Sequence, residues 1–385
     1  MVRQYKDSGI EWIGRIPKDW NTCKLKRLLT FQNGQDYKYV ESDMGYPVYG
    51  SGGVFMHASQ FLYDGEAVLF GRKGTIDRPL YVNEKFWTVD TMYYATPVNN
   101  TFGKFLYYLA TLLPFNKYQT STALPSMTQS ILGNMIVVCP SLSVQHRIAD
   151  YLDEKCGEID SLIGLQEQMI EKLKAYKQSV ITEAVTKGLN PNAKLVPSGI
   201  DWIEEIPIGW KVCRIKDLVN MKSGSNLTSE DIANEGLYPV YGGNGLRGYY
   251  NEYSNEGDYV LVGRQGALCG NINYAYGRFW ATDHAVVCYP KRKFAITWFG
   301  ETLRSMNLGQ YSLSAAQPGL SVERIKEKWM PLPPLSEQQA IAAYLDEKCA
   351  DIDRLIALKQ QKIEKLKDYK KSVICEAVTG KTIIE

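Results

Sequence analysis

Two short loops hold the residue types best suited to chemistry, "GRKG" at 71–74 and "GRQG" at 263–266. In each, a guanidinium stands between glycines, and glycine-rich turns present backbone N–H groups to anions. Arg72 and Arg264 are placed to clamp a phosphate or to donate to guanine O6 and N7. Lys73 and Gln265, one residue on, differ as readers of different bases would. Two further loops begin "YPVYG" and contribute Tyr49, Gly50 and Ser51 in the first and Tyr241, Gly242 and Asn244 in the second. The stretches "KYQTSTALPSM" and "QYSLSAAQPGL" add Gln119, Thr120, Ser312 and Ser314, polar groups able to reach bases or backbone. All of this is binding chemistry.

Catalytic patterns are missing. Gly243, Gly245 and Gly248 spell G-x-G-x-x-G, but "YYNEYSNEGD" follows where a dinucleotide fold needs an amphipathic helix. The related stretch at 46–58 also lacks the third glycine. There is no P-loop, no H-E-x-x-H and no G-x-S-x-G elbow. The "NPNA" at Asn190 lacks the aromatic that would stack on a flipped base. Asp90 and Asp283 stand alone after Trp87 and Trp280, and suit turns or caps better than acid–base work. Eight cysteines are scattered singly and the histidines are only His57, His146 and His284. No metal site and no cofactor is expected, and a reduced, cytoplasmic setting fits. With 45% apolar residues, 22% charged and a net charge of +2, the 385-residue chain has an ordinary globular composition. No apolar run is long enough for a membrane span. Any nucleic-acid contact must come from local patches and not from a basic domain.

The elements that position these loops are written twice. "SGIEWIGRIPKDWNTCKLKRL" from Ser8 returns as "SGIDWIEEIPIGWKVCRIKDL" from Ser198, and "FWTVDTM" from Phe86 as "FWATDHA" from Phe279. "LSVQHRIADYLDEKCGEIDSLI" returns 193 residues later. This is one two-part unit duplicated; a solenoid would repeat every 20 to 50 residues. Between 141–188 and 334–381, 31 of 48 positions are identical, whereas the preceding globular parts mostly differ. The helical parts therefore do one job twice, and the globular parts do two versions of a job.

Each helical part follows a proline break, with Ser143 and Ser336 the expected N-caps. Leu152, Ile159, Leu173 and Val180 form one seven-residue row, interrupted by Gln166. Cys156, Ile163, Ile170 and Ala184 form the facing row, interrupted by Lys177. The second copy repeats both rows, with Lys359 and Lys370 as its exceptions. Such a stripe reads as a coiled coil whose register is specified, about 60 Å long for forty residues. The two helices are expected to pair with each other. Apolar residues off the stripe, among them Leu162, Leu165, Met169 and Tyr176, serve either packing on the globular parts or the docking of partners. The globular parts read as short strands with few helices, including core helices near Phe102–Leu113 and Phe294–Arg304.

With "PLPPLSEQQAIAAYLDEK" at 331–348, its worn copy from Val138, the "IEWIGRIPKDW" segments and the "YPVYG" and "GRxG" loops, the whole chain resembles the specificity subunit of type I restriction–modification systems. The first copy departs from the pattern where Ser141 replaces a proline and Val144 replaces glutamate. The resemblance implies an α+β fold of two pseudo-symmetric globular α/β target-recognition domains separated by two long helices that pair as an antiparallel coiled coil. The domains would be 1–140 and 189–333, and the helices 141–188 and 334–385. It also implies a non-catalytic reader of double-stranded DNA with a bipartite, asymmetric site. Two modification (methyltransferase) subunits would supply S-adenosylmethionine-dependent adenine methylation, and restriction subunits translocation and cleavage. The rival readings are a self-sufficient methyltransferase or nuclease, and a scaffold that ignores DNA.

Overall fold

A computed structural model describes residues 3–98, 100–119, 125–266, 268–312 and 319–384. The chain forms two compact units that do not follow the order of the repeat. One joins residues 1–167 to 361–385, and the other is 168–360. Each unit thus takes one globular part and half of each long helix.

The long helices run Leu142–Lys187 and Leu335–Val378. Each unit sets the N-terminal part of one against the C-terminal part of the other, so they pair as an antiparallel coiled coil. In the first unit Leu152, Cys156 and Ile159 are buried with Ile363, Ile374 and Ala377; in the second, Ile170, Val180 and Ala184 are buried with Leu345 and Ile352. Two of the lysine exceptions, Lys177 and Lys370, fix the register. Lys370 Nζ donates to Asp160 at 2.7 and 2.6 Å, and Lys177 Nζ donates to both oxygens of Asp353 at 2.7 Å. Adding 193 to Asp160 and Lys177 gives Asp353 and Lys370, so one bridge is made twice.

The helices begin two residues earlier than the serine pattern suggests. Ser141 and Pro334 hold the cap positions, their carbonyls accepting from Gln145 and Gln338 N–H at 3.0 Å each, and Ser143 and Ser336 lie inside the first turn. What fastens each start is a buried glutamine. Gln145 Nε2 donates to the Pro140 carbonyl (2.9 Å) and its Oε1 accepts from Phe102 N–H (2.9 Å). Gln338 does the same with Pro333 (2.9 Å) and Ala295 (3.2 Å). One side chain therefore ties each long helix to the start of a short core helix, Gly103–Ala110 or Ile296–Ser305.

The substitution of Val144 for glutamate has a visible consequence. In the second unit Trp210 Nε1 donates to Glu337 at 2.9 Å. Trp20, its counterpart, is 2% exposed, and its Nε1 has no partner among the described residues, because Val144 stands where Glu337 does. A buried donor without a partner costs about 1–3 kcal/mol. Glu337→Val is therefore expected to destabilise the second unit by about that amount. Val144→Glu is expected to stabilise the first by up to about 1 kcal/mol, part of the gain being lost to carboxylate desolvation. Chemical denaturation of the two variants checks both signs.

The first globular part is built on a seven-stranded sheet in the order Leu29–Asn33, Met92–Pro97, Tyr63–Gly71, Leu80–Thr88, Tyr46–Gly50, Gly53–Ala58, Glu41–Ser42. The pairing is antiparallel except between Tyr46–Gly50 and Leu80–Thr88. The second part keeps this plan as two four-stranded sheets, because the long strand is broken into Ile272–Ala275 and Arg278–Ala281 at Gly277 (φ 69°). The short core helices bury Phe105, Leu106 and Leu109 in one unit and Trp298, Phe299 and Leu303 in the other. Tyr108 O–H donates to Asp153 at 2.7 Å, and Lys104 also binds Asp153, which pins the first core helix to its long helix.

Candidate nucleic-acid interface

In the first unit three strands end together. Tyr93 lies opposite both Asn33 and Phe70, and Met92 opposite Gly71. The Gly71–Gly74 loop leaves from this edge and is braced on both sides. Arg72 N–H donates to the Thr91 carbonyl (2.8 Å), while the Arg72 carbonyl accepts from Met127 N–H (3.0 Å). Gly74 N–H donates to Pro125 (2.9 Å), and Lys73 bridges to Ser126. The Arg72 guanidinium lies over the Tyr93 ring, 6.0 Å from its centroid, and donates to the Asp90 carbonyl at 3.4 Å. Asp90 occupies the turn between strands, as expected for a lone aspartate there. Lys73 is exposed.

The second unit builds the same edge. Arg264 N–H donates to the His284 carbonyl (2.9 Å), and the Arg264 carbonyl accepts from Leu320 N–H (2.9 Å). Gln265 bridges to Gly319. The Arg264 guanidinium donates to Ser223 Oγ at 3.1 Å. Ser312 joins this edge, its Oγ accepting from Gly319 N–H at 2.9 Å. The Gly243–Asn244 turn packs on the arginine loop, a Cβ at Gly243 lying 3.3 Å from the Gln265 carbonyl oxygen. Asn244 Oδ1 accepts from Asn271 at 2.9 Å. The glycine pattern is thus a hairpin: Gly245–Tyr250 is a strand paired with Tyr238–Gly242, and no helix opens there.

The remaining sequence candidates fall into place with different weights. Tyr49 and Tyr241 turn inward, edge-on to Phe86 (6.1 Å) and Phe279 (5.8 Å). Burial, reinforced for Tyr49 by Glu84 accepting its O–H at 2.7 Å, pushes both phenols above their ordinary pKa. They stay neutral and brace the edge, since their carbonyls accept from Val89 N–H (3.2 Å) and Thr282 N–H (2.9 Å) in the turns beside the arginines. Gly50 and Ser51 lie at the hairpin turn, as Gly242 does in the second unit. Gln119 is exposed just after the short helix Phe115–Tyr118. Thr120 and Ser314 lie outside the described residues. Asn33, Gln129 and Ser223 belong to none of the repeated stretches and were not singled out from sequence.

Among the described residues, no group of three or more His, Cys, Asp or Glu is placed to hold a metal ion. Among the same residues no helix is long and apolar enough to cross a membrane. The arrangement presents a guanidinium, a variable neighbour and loop amides at one edge of each unit. That set can hold a polyanion and donate to base edges.

Comparison with known proteins bears on the chain as a whole. The family model for the type I restriction modification DNA specificity domain matches twice, at residues 17–175 and 207–368. The Escherichia coli type I restriction enzyme EcoprrI specificity subunit is 41% identical over 135 residues, covering 34% of this chain and 34% of that protein. The Methanocaldococcus jannaschii MjaVIII specificity subunit is 23% identical over 95% of this chain and 94% of its own length. Two solved structures share the fold. One is a chain from a study of the assembly and conformational transition of the type I R-M system, with a TM-score of 0.70 at 17% identity, covering 95% of this chain and 99% of that one. The other is the HsdS subunit from Thermoanaerobacter tengcongensis, with a TM-score of 0.51 at 16% identity, covering 98% and 100%.

Proposed function

The chain belongs to the type I restriction modification DNA specificity family, and from that premise we propose that it is the non-catalytic DNA-reading subunit of a type I complex. Each globular part reads one half of a bipartite, asymmetric site. The observation that carries this reading is the edge built twice: the same braced arginine loop in both units, with a different neighbour, Lys73 in one and Gln265 in the other. Shared framework with altered readers suits two unlike half-sites.

The paired helices set the unspecified spacer and dock two modification subunits. Their lysine bridges fix the register of pairing, as a ruler requires. Each unit also leaves matching apolar side chains uncovered on its helices: Leu162, Leu165 and Tyr369 in one, and Leu355, Leu358 and Tyr176 in the other. Repeated surfaces suit two copies of one partner. The modification subunits supply methyl transfer from S-adenosylmethionine to adenine, and restriction subunits supply translocation and cleavage. The cytoplasm, where host DNA lies, is the setting this work requires.

The purified chain, alone and with its modification subunits, tests this on labelled DNA and labelled S-adenosylmethionine. The chain alone is expected to transfer no methyl groups, and the complex to methylate only DNA carrying both half-sites. Turnover by the chain alone would make it an enzyme. A complex that methylates without regard to this chain would leave it a scaffold.

A further inference from the structure

We propose that the bases read by each unit are set beside the shared arginine, by Asn33 and Gln129 in the first unit and by Ser223 and Val322 in the second. This rests on the DNA-reading function proposed above and assigns residues to it. Strand register places them. Asn33, Tyr93 and Phe70 are aligned across three strands, so their side chains share one face, and Arg72, two residues beyond Phe70, emerges on that face. In the second unit Ser223, Val286 and Val262 are aligned in the same way, and Arg264 lies two residues beyond Val262. The bond from Arg264 to Ser223 Oγ shows the two positions in contact. The third position is equivalent as well, since Gln129 and Val322 each open the helical turn after the segment that braces the arginine loop.

The contents of these positions differ in kind. Gln129 Nε2 donates to Asn33 Oδ1 at 3.1 Å, with Asn33 exposed and Gln129 partly so. A solvent-exposed bond between two amides adds little to stability, so packing does not account for it. Among the described residues neither amide makes another side-chain hydrogen bond, which leaves Asn33 Nδ2 and Gln129 Oε1 to face a ligand. A donor and an acceptor side by side match the N7 and N6 groups of adenine in the major groove. The second unit offers no amide here. Its hydroxyl is engaged by Arg264, and Val322 presents methyl groups, the complement of the thymine C5-methyl. The arginine is common to both units and cannot tell their half-sites apart.

The test replaces the chain in its host with Asn33→Ser/Gln129→Val or with the reciprocal Ser223→Asn/Val322→Gln, and maps adenine methylation by single-molecule sequencing. Each double variant is expected to relax or change one or two adjacent base pairs in one half of the motif, the two variants acting on different halves. Discrimination at those base pairs should shift roughly tenfold or more, with the spacer unchanged. Both halves unaltered in both variants would overturn the assignment. So would one variant altering both halves, or loss of all methylation in a chain that melts like the parent. Should a double variant melt lower, its two single variants carry the same comparison. Failure of the underlying function is distinguishable, because the unaltered chain would then direct no motif.

Discussion

Gly71→Ala and Gly263→Ala will each destabilise the unit that carries it by about 3 kcal/mol or more. A Cβ at Gly71 would lie 2.0 Å from the Thr75 carbonyl oxygen and 2.9 Å from Ile76 Cα. At Gly263 it would lie 2.1 Å from the Gly243 carbonyl oxygen. These are backbone atoms, so no side chain can swing away. The second site is locked further, Gly263 N–H donating to Asn271 at 2.8 Å and its carbonyl accepting from Gly270 N–H at 2.7 Å. Relief must come from displacing the loop that carries Arg72 or Arg264. Gly52→Ala is the control, since its Cβ meets nothing within 4 Å, and it should stay within about 0.5 kcal/mol of the parent. Denaturant melts of the three variants rank them directly.

The second large effect concerns how the chain is divided. A chain ended after Gln360 is expected to lose the fold of the first unit while the second still melts cooperatively. The cut removes Ile363, Ile374, Ala377 and Val378, all buried, and strips cover from Ile148, Leu152 and Cys156. Burying a single large aliphatic side chain contributes about 1.5–3 kcal/mol, so the loss is comparable to the whole stability of a domain. The cut also removes Gly380, whose carbonyl accepts from Tyr5 O–H at 3.3 Å. All of 168–360 remains. Hydrogen exchange should therefore show protection lost across 3–167 and kept across 168–360. Protection kept in 3–140 would mean instead that the first globular part folds without the C-terminal part of the second helix, as the linear division of the repeat proposes.

The sequence carried the repeat, the two long helices and the arginine loops, because each rests on local spacing. It did not carry the exchange of helix halves between units. That depends on partners about two hundred residues apart, and its one local sign was the lysine at the same place in each helix, Lys177 and Lys370, whose acceptors Asp353 and Asp160 lie in the other helix. The helix starts lie two residues before the expected caps, since a serine after proline is a good cap by composition whereas Gln145 and Gln338 do the fastening through tertiary bonds. At the candidate interface, Arg72 and Arg264 were legible from their glycines. Tyr49 and Tyr241 looked equally available, but a tyrosine ring beside a Phe-Trp strand has more to gain by burial than by exposure. Asn33 and Gln129 are ordinary polar residues 96 positions apart, and only the packing of the Gln129–Asn134 helix beside the Leu29–Asn33 strand brings them together.

Whether one chain reads two unlike half-sites is settled by mapping adenine methylation across the host genome with this gene intact and deleted. A single split, asymmetric motif is expected to lose its methylation on deletion, with two specified halves and a fixed spacer. Survival of every methylated motif, or loss of a continuous one, would contradict the proposed function.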